Sequence, residues 1–571
     1  MRKFLLLLLF AAFVIACLVW AVDKFHTVTE GLLSPEEKIT LRMKEPVLGV
    51  YSPSENLTEE EAFDIQHYGF TWTSPRLSDG DLLKLLPKEK DLLITIELRD
   101  EPLWGHHYGT ILNRIVEGDY DGKIRNFCNT LATRQQEVYL RWNPEMEVPV
   151  QLLPWQYQPP GRYIRAFRHF SALCQSTAPN VKIVWGTAAY PGALEWWPGE
   201  DVVDIVSISP LSKSTILATS HPLKDSLPLL LRRQLHRLRF IDKPVLVLGT
   251  ERIGQRSFNQ EWLERLEHEL QPFMDPLKQS ANGITKASST AKEKKKPSLL
   301  IGLYDPEEQL VSGKAVSVEH LFTDLAELRS GRFREKFKEV LERDHEVVVT
   351  MEPWKGAAYK RDPAVLAKTL NGHYDAEIEE LYRVIASSPK TVYLRWAHEM
   401  EIPIERYDWQ SQDPIQYIKA YRYFASFLEP RPEHIKMVWG PAGDRGSPEW
   451  WPGEDVVDFI GISIYGLPDK NITHHKKQNS FADVLRQKYY RMRFLNKPIF
   501  ITEMGVKGPD EFQQVWLQNA AETLLQYPDI VGVCYFNHAD VPEAWGKIAP
   551  PDWSISEESF KLFAKTLTDP N

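Results

Sequence analysis

The sequence predicts an α/β protein of two tandem (β/α)8 barrels, the first incomplete or degenerate, behind an N-terminal membrane-targeting segment. Three observations carry this expectation: a duplication, its period, and the rhythm of apolar runs in the second copy. Val138-Tyr-Leu-Arg-Trp-Asn-Pro-Glu-Met-Glu147 matches Val392-Tyr-Leu-Arg-Trp-Ala-His-Glu-Met-Glu401. Glu195-Trp-Trp-Pro-Gly-Glu-Asp-Val-Val-Asp204 recurs unchanged from Glu449 to Asp458, and Lys243-Pro244 returns as Lys497-Pro498. The offset is constant at 254 (395 − 141, 449 − 195, 497 − 243). Trp155 and Trp409, Tyr163 and Tyr417, and Trp185 and Trp439 keep the same register. Such a period is too long for a solenoid unit and fits a whole barrel of about 250 residues.

In the second copy the apolar runs are Leu299–Tyr304, Val316–Phe322, Glu346–Met351, Val392–Trp396, Ile435–Trp439, Phe459–Ile464, Ile499–Thr502 and Ile530–Phe536. Helix-like stretches such as Tyr417–Phe427 and Phe512–Leu525 separate them. Strands alternating with helices predict parallel βαβ units, and eight of them a closed barrel. The first copy supplies seven equivalents, from Gly49-Val-Tyr-Ser-Pro53, which answers Gly302-Leu-Tyr-Asp-Pro306, to Val245–Leu248. No partner for Ile530–Phe536 is found there. The expected organisation is a targeting segment over 1–25, a degenerate barrel over 45–279, a polar linker over 280–297 and a complete barrel over 298–571. The linker contains Lys292-Glu-Lys-Lys-Lys296, a solvated run.

The chain of 571 residues is 43% hydrophobic, with 18 Trp, 22 Tyr and 25 Phe, enough to bury large cores. Its formal charge of −10 makes nucleic acid an unexpected partner. Aromatic rings suit a sugar-binding cleft and equally suit barrel packing. Cys17, Cys128, Cys174 and Cys534 form no metal-ligand spacing. The last three are expected to be buried thiols, with no disulfide framework. Arg2 and Lys3 precede an apolar run from Phe4 to Val22. A run of that length reaches the roughly 17–25 residues of a spanning helix, and basic residues before it predict export of the chain beyond it. A signal anchor in the membrane is the expectation. Lipidation at Cys17, after Val14-Ile-Ala16, and cleavage after Ala21 are the alternatives. All three place the folded part outside the cytoplasm.

Chemistry in a (β/α)8 barrel sits at the C-terminal ends of strands. Glu399 follows the fourth run and Glu503 ends the seventh. Those strands lie across the mouth from each other, so the carboxylates can converge. Retaining glycoside hydrolysis needs such a pair, about 5–5.5 Å apart. Glu399 is expected to be the acid/base and Glu503 the nucleophile. A lone Glu at a strand end is more often an ordinary salt-bridge partner; two at these strand numbers shift the balance. No cofactor or metal is required.

Residues 298–540 resemble family 26 glycoside hydrolases, β-mannanases and some glucanases and xylanases. The matching segments are Arg395…His398-Glu-Met400, Trp439-Gly-Pro441, Trp451-Pro-Gly-Glu-Asp455…Asp458, the strand ending in Tyr465, and Lys497-Pro498…Glu503…Gly505. Two departures are Trp396, where the family usually has proline, and the altered aromatic stretch Glu401-Ile-Pro-Ile-Glu-Arg-Tyr-Asp-Trp409. They put mannan in doubt more than hydrolysis. The resemblance implies that His398 contacts the sugar or orients the nucleophile, and that Tyr465 hydrogen-bonds Glu503. It makes Trp409 and Trp354 candidate stacking platforms. Arg395, pointing from the mouth, supports the carboxylates by charge. Glu352, ending the third strand, binds substrate hydroxyls or is structural.

In the first copy Glu145 keeps the acid/base position, Pro144 replaces His398, and Gly249 and Leu211 stand where Glu503 and Tyr465 stand. A rescue by Glu251, two residues beyond, is conceivable on facing alone. The expectation is a barrel without catalysis that positions the enzyme, binds glycan or docks a partner. For the whole protein the sequence favours an anchored endo-acting β-glycanase acting on a β-mannan, β-glucan or exopolysaccharide. The competing function is a non-catalytic polysaccharide-binding or envelope-assembly protein. Transglycosylation would use the same residues.

Overall fold

The structure, a computed structural model, describes residues 38–42, 62–75, 83, 86, 91–99, 110–150, 153–208, 227–247, 299–356, 359–404, 406–467, 474–540 and 549–569. The N-terminal apolar run, Cys17, the linker, and Leu211, Gly249 and Glu251 lie outside the described residues. Among the described residues no helix is long and apolar enough to cross a membrane. The chain divides into two compact units, Met1–Asp275 and Pro276–Asn571.

Among the described residues the first unit holds a seven-stranded sheet in sequential order. Its strands are β1 (Lys38–Arg42), β2 (Ala62–Trp72), β3 (Leu92–Leu98), β4 (Val138–Trp142), β5 (Val181–Thr187), β6 (Ile205–Ile208) and β7 (Val245–Val247). From β2 to β7 every pairing is parallel, while β1 runs antiparallel along the outer edge of β2. The expected first strand, Gly49–Pro53, lies outside the described residues, and the sequence reading missed β1.

One expectation is overturned in this unit. Cys128 and Cys174 are not free thiols. They form a disulfide with Cα atoms 5.4 Å apart, joining the helices Asp121–Ala132 and Pro160–Thr177. The two helices pack side by side, which brings together cysteines 46 residues apart in sequence. No local spacing signals such a pair. Cys534 is buried and free, as expected.

The second unit closes as predicted. Its strands are β8 (Leu300–Tyr304), β9 (Val318–Asp324), β10 (Glu346–Glu352), β11 (Val392–Trp396), β12 (Ile435–Trp439), β13 (Phe459–Tyr465), β14 (Ile499–Gly505) and β15 (Ile530–Phe536). All pair in parallel, and β15 meets β8 to seal the barrel. Helix starts follow local chemistry. Asp324, Asp413, Ser480 and Ser556 accept backbone N–H bonds at the heads of their helices, satisfying donors the helix leaves open.

Alternation along each strand sends every second side chain into the barrel, in layers. Val318, Val348, Tyr393, Val438, Phe500 and Cys534 pack together in one. Two residues further along the same strands stand His320, Thr350, Arg395, Thr502 and Phe536, and the next step reaches Phe322 and Glu352. The apolar layer stabilises the closed sheet, and the polar layer above it carries the site.

Candidate active site

Arg395 is the centre of the polar layer and is fully buried. Its Nε donates to Thr350 Oγ1 at 2.7 Å and its Nη1 to Thr502 Oγ1 at 2.9 Å. Its Nη2 donates to Glu503 Oε1. Arg395 therefore lies inside the barrel beneath the carboxylates rather than projecting from the mouth. His320 completes this layer, with Nε2 2.8 Å from the same Thr350 hydroxyl.

Strict alternation would turn Glu503 away from its neighbour Thr502. The pairing shows why it does not. Ile462 pairs with Ile501 and Ser463 with Glu503, so β14 carries one extra residue against β13. Such a bulge re-aims a side chain. Here it lets Thr502 and Glu503 both meet the Arg395 guanidinium. Tyr465, at the end of β13, donates its hydroxyl to Glu503 Oε2 at 2.8 Å. Burial, then the charge of Glu503, raises the Tyr465 phenol well above its usual range, so it remains a donor. Glu503 thus accepts from Arg395 on one oxygen and from Tyr465 on the other, two donors that fix the direction of its side chain.

Glu399 sits on the loop after β11 with φ +53°, and Ala397 has φ +46°. Both are left-handed conformations that cost a non-glycine residue about 1–3 kcal/mol unless the surroundings enforce them. The surroundings do so. Glu399 N–H donates to the Gly440 carbonyl at 2.7 Å, and Gln410 Nε2 donates to the Glu399 carbonyl at 3.0 Å. Gly440 has no alternative residue: a Cβ there would lie 2.4 Å from Arg395 Cδ. The Trp439-Gly440 pattern is therefore the space that Arg395 occupies. The Glu399 side chain accepts from Ser463 Oγ at 2.9 Å.

Ser463 and Tyr465 are two residues apart on one strand face, a rise of roughly 6.5 Å. One holds Glu399 and the other Glu503, so the two carboxylates are bracketed by a single strand. Burial first, then the charge of Glu503, pushes the Glu399 carboxyl up to about 7; Ser463 and the two arginines 395 and 406 oppose this. The mouth thus pairs a carboxylate held by two donors with a carboxyl that keeps its proton near neutrality.

The remaining expected residues divide. His398 is buried beside the rings of Phe322, Tyr407 and Trp409. Its Nε2 lies 3.9 Å from Glu352 Oε1. Burial, then Arg395 and Arg406, lowers its imidazole well below the usual range, so it is neutral. The contacts that orient Glu503 come from Arg395 and Tyr465, not from His398. Trp409 is not a stacking platform. It is 0% exposed, its indole N–H donates to the His398 carbonyl at 2.7 Å, and one face lies on Tyr407. Packing covers the face a sugar would need, and Trp409 braces the loop that carries Glu399. Trp354 is half-buried and lines a cavity of about 480 Å³ with Tyr359, Lys360, Arg361, Asp362 and Tyr374. Its indole donates to Glu352 Oε2 at 3.0 Å. Burial pushes the Glu352 carboxyl up to about 8, against the Trp354 hydrogen bond and the Arg406 charge.

Sequence reasoning missed Ser463 and the rings of Tyr304, Phe322 and Phe536. These three half-buried rings cluster at the mouth, with centroids 4.6 Å and 5.0 Å from Tyr304. Tyr304 stands in the Gly302-Leu-Tyr-Asp-Pro pattern that marked the duplication, and its place at the end of β8 was the available signal. The repeated Trp-Trp-Pro-Gly-Glu-Asp pattern is a brace: Arg422 grips Asp455 at 2.8 Å and 2.6 Å, as Arg168 grips Asp201 in the first unit at 2.9 Å and 2.6 Å.

In the first unit Glu145 reproduces the backbone of Glu399, with φ +58° and N–H bonded to the Gly186 carbonyl at 2.8 Å. Trp155 N–H binds the Pro144 carbonyl at 2.8 Å, as Trp409 binds that of His398. The loop is thus kept while the residue before the glutamate is changed.

A closed parallel barrel with two convergent glutamates defines the class of site found in glycosidic-bond chemistry. The comparisons agree in sequence. The chain is 30% identical over 240 residues to the beta-1,3-xylanase TXYA of a Vibrio species, covering 35% of this chain and 48% of that protein. It is 28% identical over 149 residues to a beta-1,3-xylanase of an Alcaligenes species, covering 25% and 28%. The chain therefore spans about half the length, or less, of the curated relatives it matches. No known family profile matches it. Among solved structures, the family 26 domain of a Prevotella bryantii endo-beta-mannanase/endo-beta-glucanase matches at 13% identity, covering 48% of this chain and 89% of that one, with a TM-score of 0.33. The full bifunctional enzyme matches at 10% identity, covering 94% and 96%, with a TM-score of 0.35.

Proposed function

We propose that this protein is an extracytoplasmic retaining β-glycoside hydrolase that cleaves a polysaccharide in its second unit. The observation that carries this reading is the asymmetry of the carboxyl pair. Glu503 is held by a guanidinium and a phenol, and Glu399 is buried and proton-retaining near neutral pH. Glu503 attacks the anomeric carbon while Glu399 protonates the leaving oxygen, giving a glycosyl-enzyme. Esterification removes the charge of Glu503, one of the two main causes that raise the Glu399 carboxyl. Its pKa then falls, and Glu399 takes a proton from the attacking water.

The substrate candidates are β-linked glycans, with β-1,3-xylan first because the curated relatives are named for it; mannan and glucan come after. The Tyr304, Phe322 and Phe536 cluster offers apolar ring surface for a pyranose. Export is supported by the Cys128–Cys174 disulfide, which persists in oxidising compartments, and by the basic-then-apolar N-terminus. The N-terminal segment acts as a membrane anchor on this reading. The first unit is non-catalytic and serves the second by positioning it or holding glycan. Incubation with β-1,3-xylan, β-mannan and mixed-linkage glucan, followed by proton NMR of the first-formed products, tests the mechanism. Release of the β-anomer that later mutarotates is expected, with loss of turnover in Glu399→Gln and Glu503→Gln. Initial release of the α-anomer, or unchanged turnover in either variant, refutes it.

A further inference from the structure

The long loop after β11 carries one more charged residue toward the mouth. Arg406 Nη2 lies 3.4 Å from Asp540 Oδ1, and Asp540 follows β15. In the closed order of eight strands, β11 and β15 are four apart whichever way the barrel is traversed. This ion pair therefore crosses the opening through which a glycan chain enters.

Arg406 is presented rigidly. Its guanidinium carbon stands 4.9 Å from the centre of the Tyr407 ring, and Tyr407 stacks on Trp409 with centroids 4.7 Å apart. Its backbone N–H donates to Gln410 Oε1 at 2.9 Å, while Gln410 Nε2 donates to the Glu399 carbonyl. One glutamine side chain thus ties the Arg406 backbone to the acid/base backbone. The bond to Asp540 is weaker by comparison. At 3.4 Å it exceeds the 2.7–2.9 Å of a good charge-assisted bond. Both side chains are partly open, at 26% and 19% exposure. Such pairs contribute little to stability, so the pair is exchanged readily for other partners. A guanidinium offers five donors, which sugar hydroxyl and ring oxygens accept. At the offset of 254 the first unit has Leu152 in place of Arg406, so the charge belongs to the copy with the paired glutamates.

We propose that Arg406 is a substrate-positioning residue. Asp540 holds it across the mouth when the cleft is empty, and its guanidinium passes to the hydroxyls of a neutral β-linked glycan when a chain binds. The proposal rests on the reading of the mouth as a glycan cleft and deepens it. It is tested by isothermal titration of β-1,3-xylohexaose, β-1,4-mannohexaose and cellohexaose into full-length Glu399→Gln protein. Adding Arg406→Met should weaken binding of the preferred oligosaccharide by about tenfold, the loss of a charged hydrogen bond. Adding Asp540→Asn should tighten it by about threefold, because the competitor for the guanidinium is removed. Arg406→Gln is the second variant should the methionine protein fail a near-ultraviolet circular dichroism check. Unchanged affinity in the arginine variants, weaker binding in Asp540→Asn, or no binding of any oligosaccharide overturns the proposal. The two readings fail separately. Binding without hydrolysis by the natural protein sinks the hydrolase and leaves Arg406 standing; hydrolysis with affinity indifferent to Arg406 does the reverse.

Discussion

Tyr465→Phe deletes the hydroxyl that donates to Glu503 Oε2 at 2.8 Å and leaves a ring able to pack against Trp553 and Phe536. Glu503 keeps its bond from Arg395, so the nucleophile stays seated but loses one of its two donors. A hydrogen bond to a charged group is worth about 1.5–3 kcal/mol. If all of that hold is used in aligning the attacking oxygen, kcat/KM falls roughly 10- to 150-fold. The alkaline limb of kcat/KM, set by Glu399 near 7, should hardly move, because burial is the larger cause of its shift. The assay is initial-rate hydrolysis of the best polysaccharide from pH 4 to 9, with melting temperature as the control for folding. A fall of less than twofold would refute the role given to Tyr465.

Three further outcomes are expected from the same geometry. Glu145→Gln should leave hydrolysis within about twofold of the natural rate, since the residue at the nucleophile's offset is Gly249; a large loss would place chemistry in the first unit. Cys128→Ser with Cys174→Ser should lower the stability of the first unit by about 4 kcal/mol by the chain-entropy argument for a loop of this length, read as an earlier unfolding transition in urea. Glu352 binds its proton more tightly folded than unfolded, so its contribution to stability is present at low pH and is lost as pH rises from about 4.5 toward 8. Glu352→Gln should therefore flatten the decline in stability over that window, an effect of order a few kcal/mol in unfolding free energy between pH 5 and 9. An unchanged slope would mean that Glu352 titrates as an ordinary surface carboxyl.

What was legible in the sequence is what local pattern controls. Alternation and run length placed all eight strands of the second unit, six of them to the residue or within one, because facing and extension are properties of a few consecutive residues. The duplication exposed Glu399 and Glu503 because their neighbours are repeated or motif-like, and the strand numbers set them across the mouth. Arg395 was visible as a charge inside an apolar run.

Its placement beneath Glu503 was not visible, nor were the uses of the other side chains, because those are set by barrel closure. Trp409 reads as an exposed platform until its neighbours Tyr407 and His398 are folded against it. Glu503 faces the mouth only because β13 and β14 slip by one residue, and no pattern within β14 announces a slip against a partner. Ser463 and Glu399 are 64 residues apart, Arg395 and Glu503 are 108 apart, and Arg406 and Asp540 are 134 apart. The disulfide, too, waits on two helices coming together. A sequence determines which face of each strand is turned inward; only the closed ring decides which of those inward groups are close enough to exchange a proton.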